Sequence, residues 1–284
     1  MTQSHKNKWS TIVMTNTEKN TEILKNSSSW VKIIEEKINL AKENGFLGVI
    51  LDLEVSVIPF DRITNDIVDF NKSFYLEAKK QNLGYGFLIY GDKYYRQRPY
   101  FMPEIVNNSD EILIMAYDFH RPDSDVAGAV APIGGVEENG GEYDLVTMLK
   151  DYLANVPPNK LIMGVPYYGY NWVVEEVKAE ESKRKPGNDE IGYSQAMPYE
   201  DVLDVIEEYK PQVKWNEISK VPYFNYRNKD TNADRVVYFE NEESLKEKYK
   251  LVNDNNLAGV GIWALGYDGG YTELWNLLYD SFIK

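Results

Sequence analysis

Apolar residues follow two rhythms along this chain, and together they predict strands that alternate with helices. Helical spacing of apolar residues predicts a helix over Ser28–Glu43, a second from Ile63 to Phe74, a short one near Pro99–Asn107, and two more from Leu145 to Leu153 and from Leu274 to Phe282. Short apolar runs predict strands at Thr11–Thr15, Gly48–Glu54, Leu83–Tyr90, Ile112–Tyr117, Leu161–Pro166 and Leu257–Trp263. Repeated strand-helix alternation predicts parallel strands that are joined by helical crossovers.

One long segment, Asn171–Glu240, interrupts this alternation and is too long for a plain connection. It contains the charged run Glu175–Lys185, a helical pattern around Val202, and strand-like runs at Val221–Tyr226 and Val236–Phe239. We therefore predict one domain over 1–284 with a small α+β insertion at 171–240, before the last strand. A glycine-rich loop is predicted over 128–141.

The strand Gly48–Glu54 ends in two carboxylates, Asp52 and Glu54. Side chains two apart on a strand point to the same face, so these two carboxylates share a face at the strand's C-terminal end. In a barrel of parallel strands and helices, that end is where active sites are built. Two interpretations stay open at this point: a pair of functional carboxylates, or two solvated carboxylates at the rim of a loop.

Three further strands also end in polar or aromatic groups. Met115 and Tyr117 share a face where Asp118 follows the strand, Tyr168 follows another strand, and Trp263 ends the last one. Each of these ends alone is a weak signal, because a lone tryptophan or Met-x-Tyr-Asp is common in cores. Four such ends on neighbouring strands favour a functional site.

Composition narrows the class of partner. A formal net charge of −14 disfavours nucleic acid and anionic membranes as partners. The chain has no cysteine and only His5 and His120, which excludes thiolate sites and nearly excludes a multi-histidine metal site. It has no run of about 18 apolar residues, so no membrane span is expected, and Met1–Trp9 lacks the apolar core of a signal peptide. The 22 tyrosines and six tryptophans fit a site that stacks on sugar rings, although they also serve in cores.

These strand ends resemble those of glycoside hydrolase family 18, the chitinase-type (β/α)8 barrels. The resemblance is carried by Asp52-Leu53-Glu54, by Met115-Ala116-Tyr117-Asp118 and by Trp263 on the last strand. Within the family, the chain most resembles the spore-cortex and peptidoglycan N-acetylglucosaminidase branch. The pieces similar to that branch are Val13–Asn16, Ala129–Ile133, Gly169–Trp172, Tyr223–Tyr226 and Val236–Glu240.

The resemblance implies a role for each matching residue. Glu54 would be the general acid, Asp52 would orient the substrate's 2-acetamido group, and Tyr117 would hydrogen-bond that group. Trp263 would form the floor under the sugar, and three residues would line the site: Met115, Asp118 and Tyr168. The implied chemistry is substrate-assisted, so the family departs from the two-carboxylate scheme of most glycosidases.

The chain departs from the family pattern in two ways. Leu47 and Ile50 stand where relatives carry acidic residues, and Ile50 shares a face with Asp52. An apolar neighbour should raise the pKa of Asp52 by desolvation. The first clear strand matches the family's third, so the first two strand-helix units are expected to be absent and only six strands are predicted.

The sequence thus predicts a retaining glycosidase that acts on N-acetylglucosamine-containing glycans, either peptidoglycan or chitin-like. No metal or organic cofactor is implied, and the resemblance suggests an extracellular, cell-wall or spore-associated location. The alternative from another class is a carbohydrate-binding protein on a disabled chitinase-like scaffold. Glu54 argues against that alternative because lectin-like relatives typically lose it, whereas Ile50 and the missing strands argue for it.

Overall fold

The computed structural model describes residues 8–136, 143–177 and 182–283. His5, the end of the glycine-rich loop predicted over 128–141 and part of the charged run at 175–185 lie outside the described residues. The chain divides into two units, one formed by Met1–Met115 with Asp151–Ile162 and the other by Ala116–Lys150 with Met163–Lys284.

Four parallel strands form the centre of the first unit. They are β1 (Trp9–Met14), β2 (Gly48–Leu53), β3 (Gly84–Tyr90) and β4 (Glu111–Met115). They pair in chain order, with Val13 opposite Asp52, Asp52 opposite Leu88, and Tyr90 opposite Met115. The register therefore brings the C-terminal ends of all four strands to the same edge of the sheet.

Helices cover this sheet through the apolar positions that the spacing identifies. The helices are α1 (Thr17–Lys25), α2 (Trp30–Glu43), α3 (Asp61–Lys80) and α4 (Met102–Asn107). On α3, the predicted stripe of Ile63, Ile67, Phe70 and Phe74 is buried. The helix α1 is not predicted from the sequence, since it buries only Asn20 and Leu24 and therefore shows little apolar periodicity.

The remaining helices and parallel strands follow the predicted order. They are α5 (Leu145–Leu153), β5 (Leu161–Pro166), α7 (Glu242–Asp254), β11 (Gly259–Trp263) and α8 (Glu273–Phe282). The numbering skips one helix and five strands, which lie between β5 and α7 and are described in the next paragraph. The sheet has the strand order β1-β2-β3-β4-β5-β11. Within the described residues it contains six strands, which confirms a (β/α)8-type fold that lacks its first two strand-helix units.

A second, antiparallel sheet lies in the segment between β5 and α7. Its strands are β6 (Tyr168–Val173), β7 (Gln195–Pro198), β8 (Lys214–Asn216), β9 (Val221–Arg227) and β10 (Asp234–Tyr238), in the order β7-β6-β10-β9-β8. The helix α6 (Tyr199–Tyr209) packs on it through Val202. The predicted α+β insertion is thus present, although β6 begins before residue 171 and is not predicted as a strand. Its status as a domain over 171–240 stays a prediction.

Candidate active site

Asp52 is a buried carboxylate near the end of β2. It is 2% exposed, and its Oδ1 accepts no hydrogen bond from the described part of the chain. Desolvation by burial, followed by repulsion from Glu54, raises the pKa of Asp52 to about 7. The direction of this shift and its cause, desolvation, are those predicted, whereas the part that Ile50 plays in it stays a prediction. At neutral pH, Asp52 is divided between its protonated and ionised forms.

The backbone around Glu54 is held by two side chains from other elements. Asn20 of α1 donates from Nδ2 to the carbonyl oxygens of Met14 (2.6 Å) and Glu54 (2.8 Å), which joins the ends of β1 and β2. The Tyr100 hydroxyl donates to the Leu53 carbonyl (2.7 Å) and accepts from the Val55 N–H (2.7 Å). Glu54 thus leaves the strand on a backbone that is fixed on both sides.

The carboxylate of Glu54 has a side-chain partner on the next strand. The Tyr90 hydroxyl, at the end of β3, donates to Glu54 Oε2 over 3.1 Å. The guanidinium of Arg98 lies over the Tyr90 ring, with 3.7 Å between the Arg98 Cζ and the ring centroid. Met115, which the sequence predicts to line the site, ends β4 opposite Tyr90 in the register. The first unit therefore groups Asp52, Glu54 and Met115 at one edge.

In the second unit, Asp118 is bound by two tyrosines. Its Oδ1 accepts hydrogen bonds from the hydroxyls of Tyr168 (2.5 Å) and Tyr170 (2.6 Å). Asp118 adopts a left-handed backbone conformation with φ of 64°, which directs the chain away from the strand direction. Burial, followed by the charge of Asp118, raises the pKa of both tyrosines, so both hydroxyls stay protonated as donors.

Trp263 and Tyr117 lie together in the same unit. Trp263 ends β11, is 39% exposed, and stacks on Tyr117 with 6.4 Å between ring centroids and 29° between planes. Tyr117 also meets the edge of Tyr168 at 6.2 Å. All four predicted residues of this unit, Tyr117, Asp118, Tyr168 and Trp263, therefore lie in one aromatic cluster.

Several residues of these clusters are missed by the sequence patterns. Tyr90 ends a predicted strand, so the strand-end argument that identifies Met115 could also have identified Tyr90 as a site residue. Arg98 lies in a connection without periodicity, and Tyr100 lies at the start of the short helix predicted near Pro99–Asn107, so no pattern points to either as a site residue. Tyr170 lies in a piece that resembles relatives, but its hydrogen bond to Asp118 depends on the unpredicted strand β6.

Metal binding and membrane insertion find no support in the described residues. Among them, no group of three or more histidine, aspartate or glutamate side chains is arranged to hold a metal ion. No helix in the same part of the chain is long and apolar enough to cross a membrane.

Comparison with known proteins places the chain among glycosidases. The family described as "Glycosyl hydrolases family 18" matches residues 6–268. Human "Di-N-acetylchitobiase" is 24% identical over 281 residues, which cover 90% of this chain and 69% of that protein. The "Cortical fragment-lytic enzyme" of Bacillus subtilis is 24% identical over 173 residues, which cover 61% of this chain and 35% of that protein. The chain thus spans between a third and about two thirds of these relatives' lengths.

The fold of this chain is also similar to that of solved chitinase structures. The group IV chitinase of Ostrinia furnacalis, in complex with allosamidin, matches with a TM-score of 0.83 and 20% identity. The match covers 96% of this chain and 78% of that one. Since the family match covers most of the sequence, the chain is a glycosidase that belongs to glycosyl hydrolases family 18.

Proposed function

We propose that this chain cleaves β-1,4 linkages to N-acetylglucosamine, in peptidoglycan or chitin-like glycans, by substrate-assisted hydrolysis with retention. The observation that carries the proposal is the pair of carboxylates at the end of β2. Asp52 is buried, and its Oδ1 accepts no hydrogen bond from the described residues, whereas Glu54 accepts one from the Tyr90 hydroxyl. The names of the relatives support the substrate class, since one is a chitobiase and another a cortical fragment-lytic enzyme.

Glu54 is the proposed general acid. In the first step its proton passes to the glycosidic oxygen while the bond from that oxygen to the anomeric carbon breaks. The acetamido oxygen of the substrate attacks the same carbon and forms an oxazolinium ion. Water then adds to the anomeric carbon on the face opposite the oxazolinium oxygen and gives a proton to Glu54. The bond between the anomeric carbon and that oxygen breaks in the same step, so the acetamido group is restored and the configuration is retained.

Asp52 is proposed to orient the acetamido group and to balance its positive charge. Its buried Oδ1, which accepts no hydrogen bond from the described residues, suits the acetamido N–H as a donor. An ionised Asp52 would also stabilise the oxazolinium cation by its charge. Tyr117 is proposed to donate a hydrogen bond to the acetamido oxygen.

Four residues are proposed to bind the sugar without taking part in proton transfer. Trp263 is 39% exposed, and an indole ring suits the apolar face of a pyranose. Met115, Asp118 and Tyr168 are proposed to line the site around it. Asp118 is already bound by two phenols, which fixes its carboxylate in one orientation.

Incubation with chitooligosaccharides and, separately, with peptidoglycan tests the proposal, with products identified by mass and anomers followed by proton NMR. We expect cleavage of at least one substrate class, a β-anomer at early times, and inhibition by a thiazoline analogue of N-acetylglucosamine. An early product of inverted configuration would refute the mechanism. Binding of the glycans without cleavage would instead support the carbohydrate-binding alternative.

A further inference from the structure

Tyr90 makes the one side-chain hydrogen bond that Glu54 receives within the described residues. The bond joins the Tyr90 hydroxyl to Glu54 Oε2 over 3.1 Å, between the ends of neighbouring strands β2 and β3. A carboxylic acid has one protonated oxygen and one carbonyl oxygen, and only the protonated one can donate. A donor fixed on Oε2 therefore favours a proton on Oε1.

Arg98 fixes Tyr90 in this role. Its side chain is 8% exposed, and it forms a bidentate pair with Asp92, with 2.6 Å from Nε to Oδ1 and 2.7 Å from Nη2 to Oδ2. Its Nη1 also donates to the Ser56 hydroxyl over 3.3 Å. These bonds hold the guanidinium over the Tyr90 ring, with 3.7 Å between the Arg98 Cζ and the ring centroid.

The stacked cation changes what the phenol can do. A guanidinium over the ring is attracted by its π electrons and draws electron density from the hydroxyl oxygen. Burial, followed by the charge of Glu54, raises the pKa of Tyr90, and the charge of Arg98 opposes both, so the hydroxyl stays protonated and is a better donor than it would be without the cation. A protonated hydroxyl that faces Oε2 disfavours the reverse arrangement with the carboxyl proton on Oε2. Other charged and titratable groups that act on Tyr90 are Asp52, Glu54 and Tyr100.

We propose that Tyr90, held by Arg98, is a positioning residue that directs the transferable proton to Glu54 Oε1. When that proton leaves for the glycosidic oxygen, negative charge develops on the carboxylate, and the hydrogen bond from Tyr90 to Oε2 strengthens. Hydrogen bonds to charged acceptors are stronger than those to neutral ones, so the bond stabilises the transition state more than the ground state. This inference rests on the proposed function, in which Glu54 is the general acid.

The test compares a natural oligosaccharide that the wild type cleaves with the 2,4-dinitrophenyl glycoside of the same sugar. The dinitrophenolate leaves without a proton, so cleavage of that substrate does not need the acid in its first step. Tyr90→Phe should lower kcat on the oligosaccharide by about 10- to 100-fold with little change in KM. On the dinitrophenyl glycoside its effect should be less than about threefold.

Two matched controls separate positioning from general damage. Tyr94→Phe removes a buried hydroxyl that has no hydrogen-bond partner among the described residues, and it should leave both rates unchanged. Arg98→Met and Arg96→Met each remove an arginine that pairs with Asp92, but of the two only Arg98 lies on Tyr90. Arg98→Met should reproduce the substrate-dependent loss, whereas Arg96→Met should not.

Glu54→Gln, measured on both substrates, separates this inference from the proposed function. Suppose that Glu54→Gln lowers kcat more on the oligosaccharide than on the dinitrophenyl glycoside. If Tyr90→Phe then lowers kcat on neither substrate, or lowers it equally on both, the role of Tyr90 is overturned and the proposed function stands. If Glu54→Gln retains wild-type rates, or the wild type cleaves neither substrate, the proposed function fails and the role of Tyr90 fails with it. If both variants lose more activity on the oligosaccharide than on the dinitrophenyl glycoside, the result supports the proposed function and the role of Tyr90.

Discussion

Asp52 is kept in a place where its charge is costly. It lies among apolar neighbours beside a second carboxylate, and its pKa is raised to about 7 by burial and by Glu54. A folded-state pKa above the unfolded value means that the native state binds the proton more tightly. This carboxyl therefore weakens stability as the pH rises from about 4 through 7, where the folded form gives up its proton.

Asp52→Asn should remove this dependence. The variant should gain stability over the wild type by about 3 kcal/mol more at pH 8 than at pH 5, because only the wild type carries a buried charge at the higher pH. Chemical denaturation at both pH values measures the difference. Asp69→Asn, at an exposed position on α3, is the control for the substitution itself. An equal difference for Asp52→Asn at both pH values would show that Asp52 does not titrate in this range.

Trp172 and Trp263 allow a matched comparison of a core tryptophan with the tryptophan that is proposed to bind the sugar. Trp172 is fully buried on β6, whereas Trp263 is 39% exposed at the end of β11. We expect Trp172→Ala to lose about 3–5 kcal/mol of unfolding free energy. Trp263→Ala should lose much less stability but most of the affinity for oligosaccharides, as measured by calorimetry. A core-like stability loss at Trp263 would make it a packing residue.

At the scale of residues, the sequence identifies side chains that share a face of one strand, but it misses contacts between side chains on two different strands. The alternation within β2 places Asp52 and Glu54 on one face without knowledge of any neighbour. The bond from Tyr90 to Glu54 needs the pairing of β2 with β3 and its register, which no local pattern contains. Arg98 is further removed, because its position depends on the path of an irregular connection.

At the scale of elements, the side chain of Trp9 on β1 packs across the N-terminal ends of the two neighbouring strands, β2 and β3. The Trp9 indole, on β1, covers Gly48 of β2 and Gly84 of β3, and a Cβ at either glycine would overlap its ring atoms. The two glycines therefore provide the space in which the indole packs against the sheet. Their spacing in the sequence shows nothing of this, since it arises only when the three strands lie side by side.

Gly84→Ala should destabilise the first unit. The added methyl group cannot fit without displacing the Trp9 ring, and such overpacking typically costs about 1–3 kcal/mol. Gly259→Ala is the matched control, because Gly259 is also in a strand and a Cβ there would meet nothing within 4 Å. Thermal and denaturant unfolding measure both. In a Trp9→Ala background the cost of Gly84→Ala should shrink, and an unchanged cost would place the strain elsewhere.

Element prediction from the sequence succeeds for α3 and fails for β6 and α1, for reasons that lie in how each element is buried. The stripe on α3 is buried on one side, so its period is readable. All six residues of β6 are buried, so the strand shows no alternation between apolar and polar side chains, and the pattern places Tyr168 after β5 rather than on a strand of its own. The helix α1 is missed for the opposite reason, since only Asn20 and Leu24 of its nine residues are buried.

At the scale of the whole molecule, the number of strands is predictable from the sequence because each strand carries its own signal. Six are predicted, and six form the parallel sheet within the described residues. Hydrophobic pattern alone does not determine the order of those strands. The six strands lie in the order β1-β2-β3-β4-β5-β11, which follows the chain, as in the strand-helix units of a (β/α)8-type barrel.

The strand order leaves β1 and β11 at the two ends of the sheet. A strand at a sheet edge presents backbone N–H and C=O groups that can pair with another chain. The formal net charge of −14 opposes such pairing through repulsion between copies, and salt weakens that repulsion. We therefore expect self-association that increases with protein concentration and with ionic strength, as measured by sedimentation velocity.

Thr11→Lys tests whether the edge of β1 is responsible. Thr11 is exposed in the middle of β1, and a lysine on an edge strand disfavours pairing because it would bring a charge into the new sheet. Val31→Lys is the matched control, since Val31 is also exposed but lies on α2. Both variants add the same charge, so a fall in association for Thr11→Lys alone assigns it to the strand edge. A wild type that stays monomeric at high protein concentration and high salt would show that this edge does not pair.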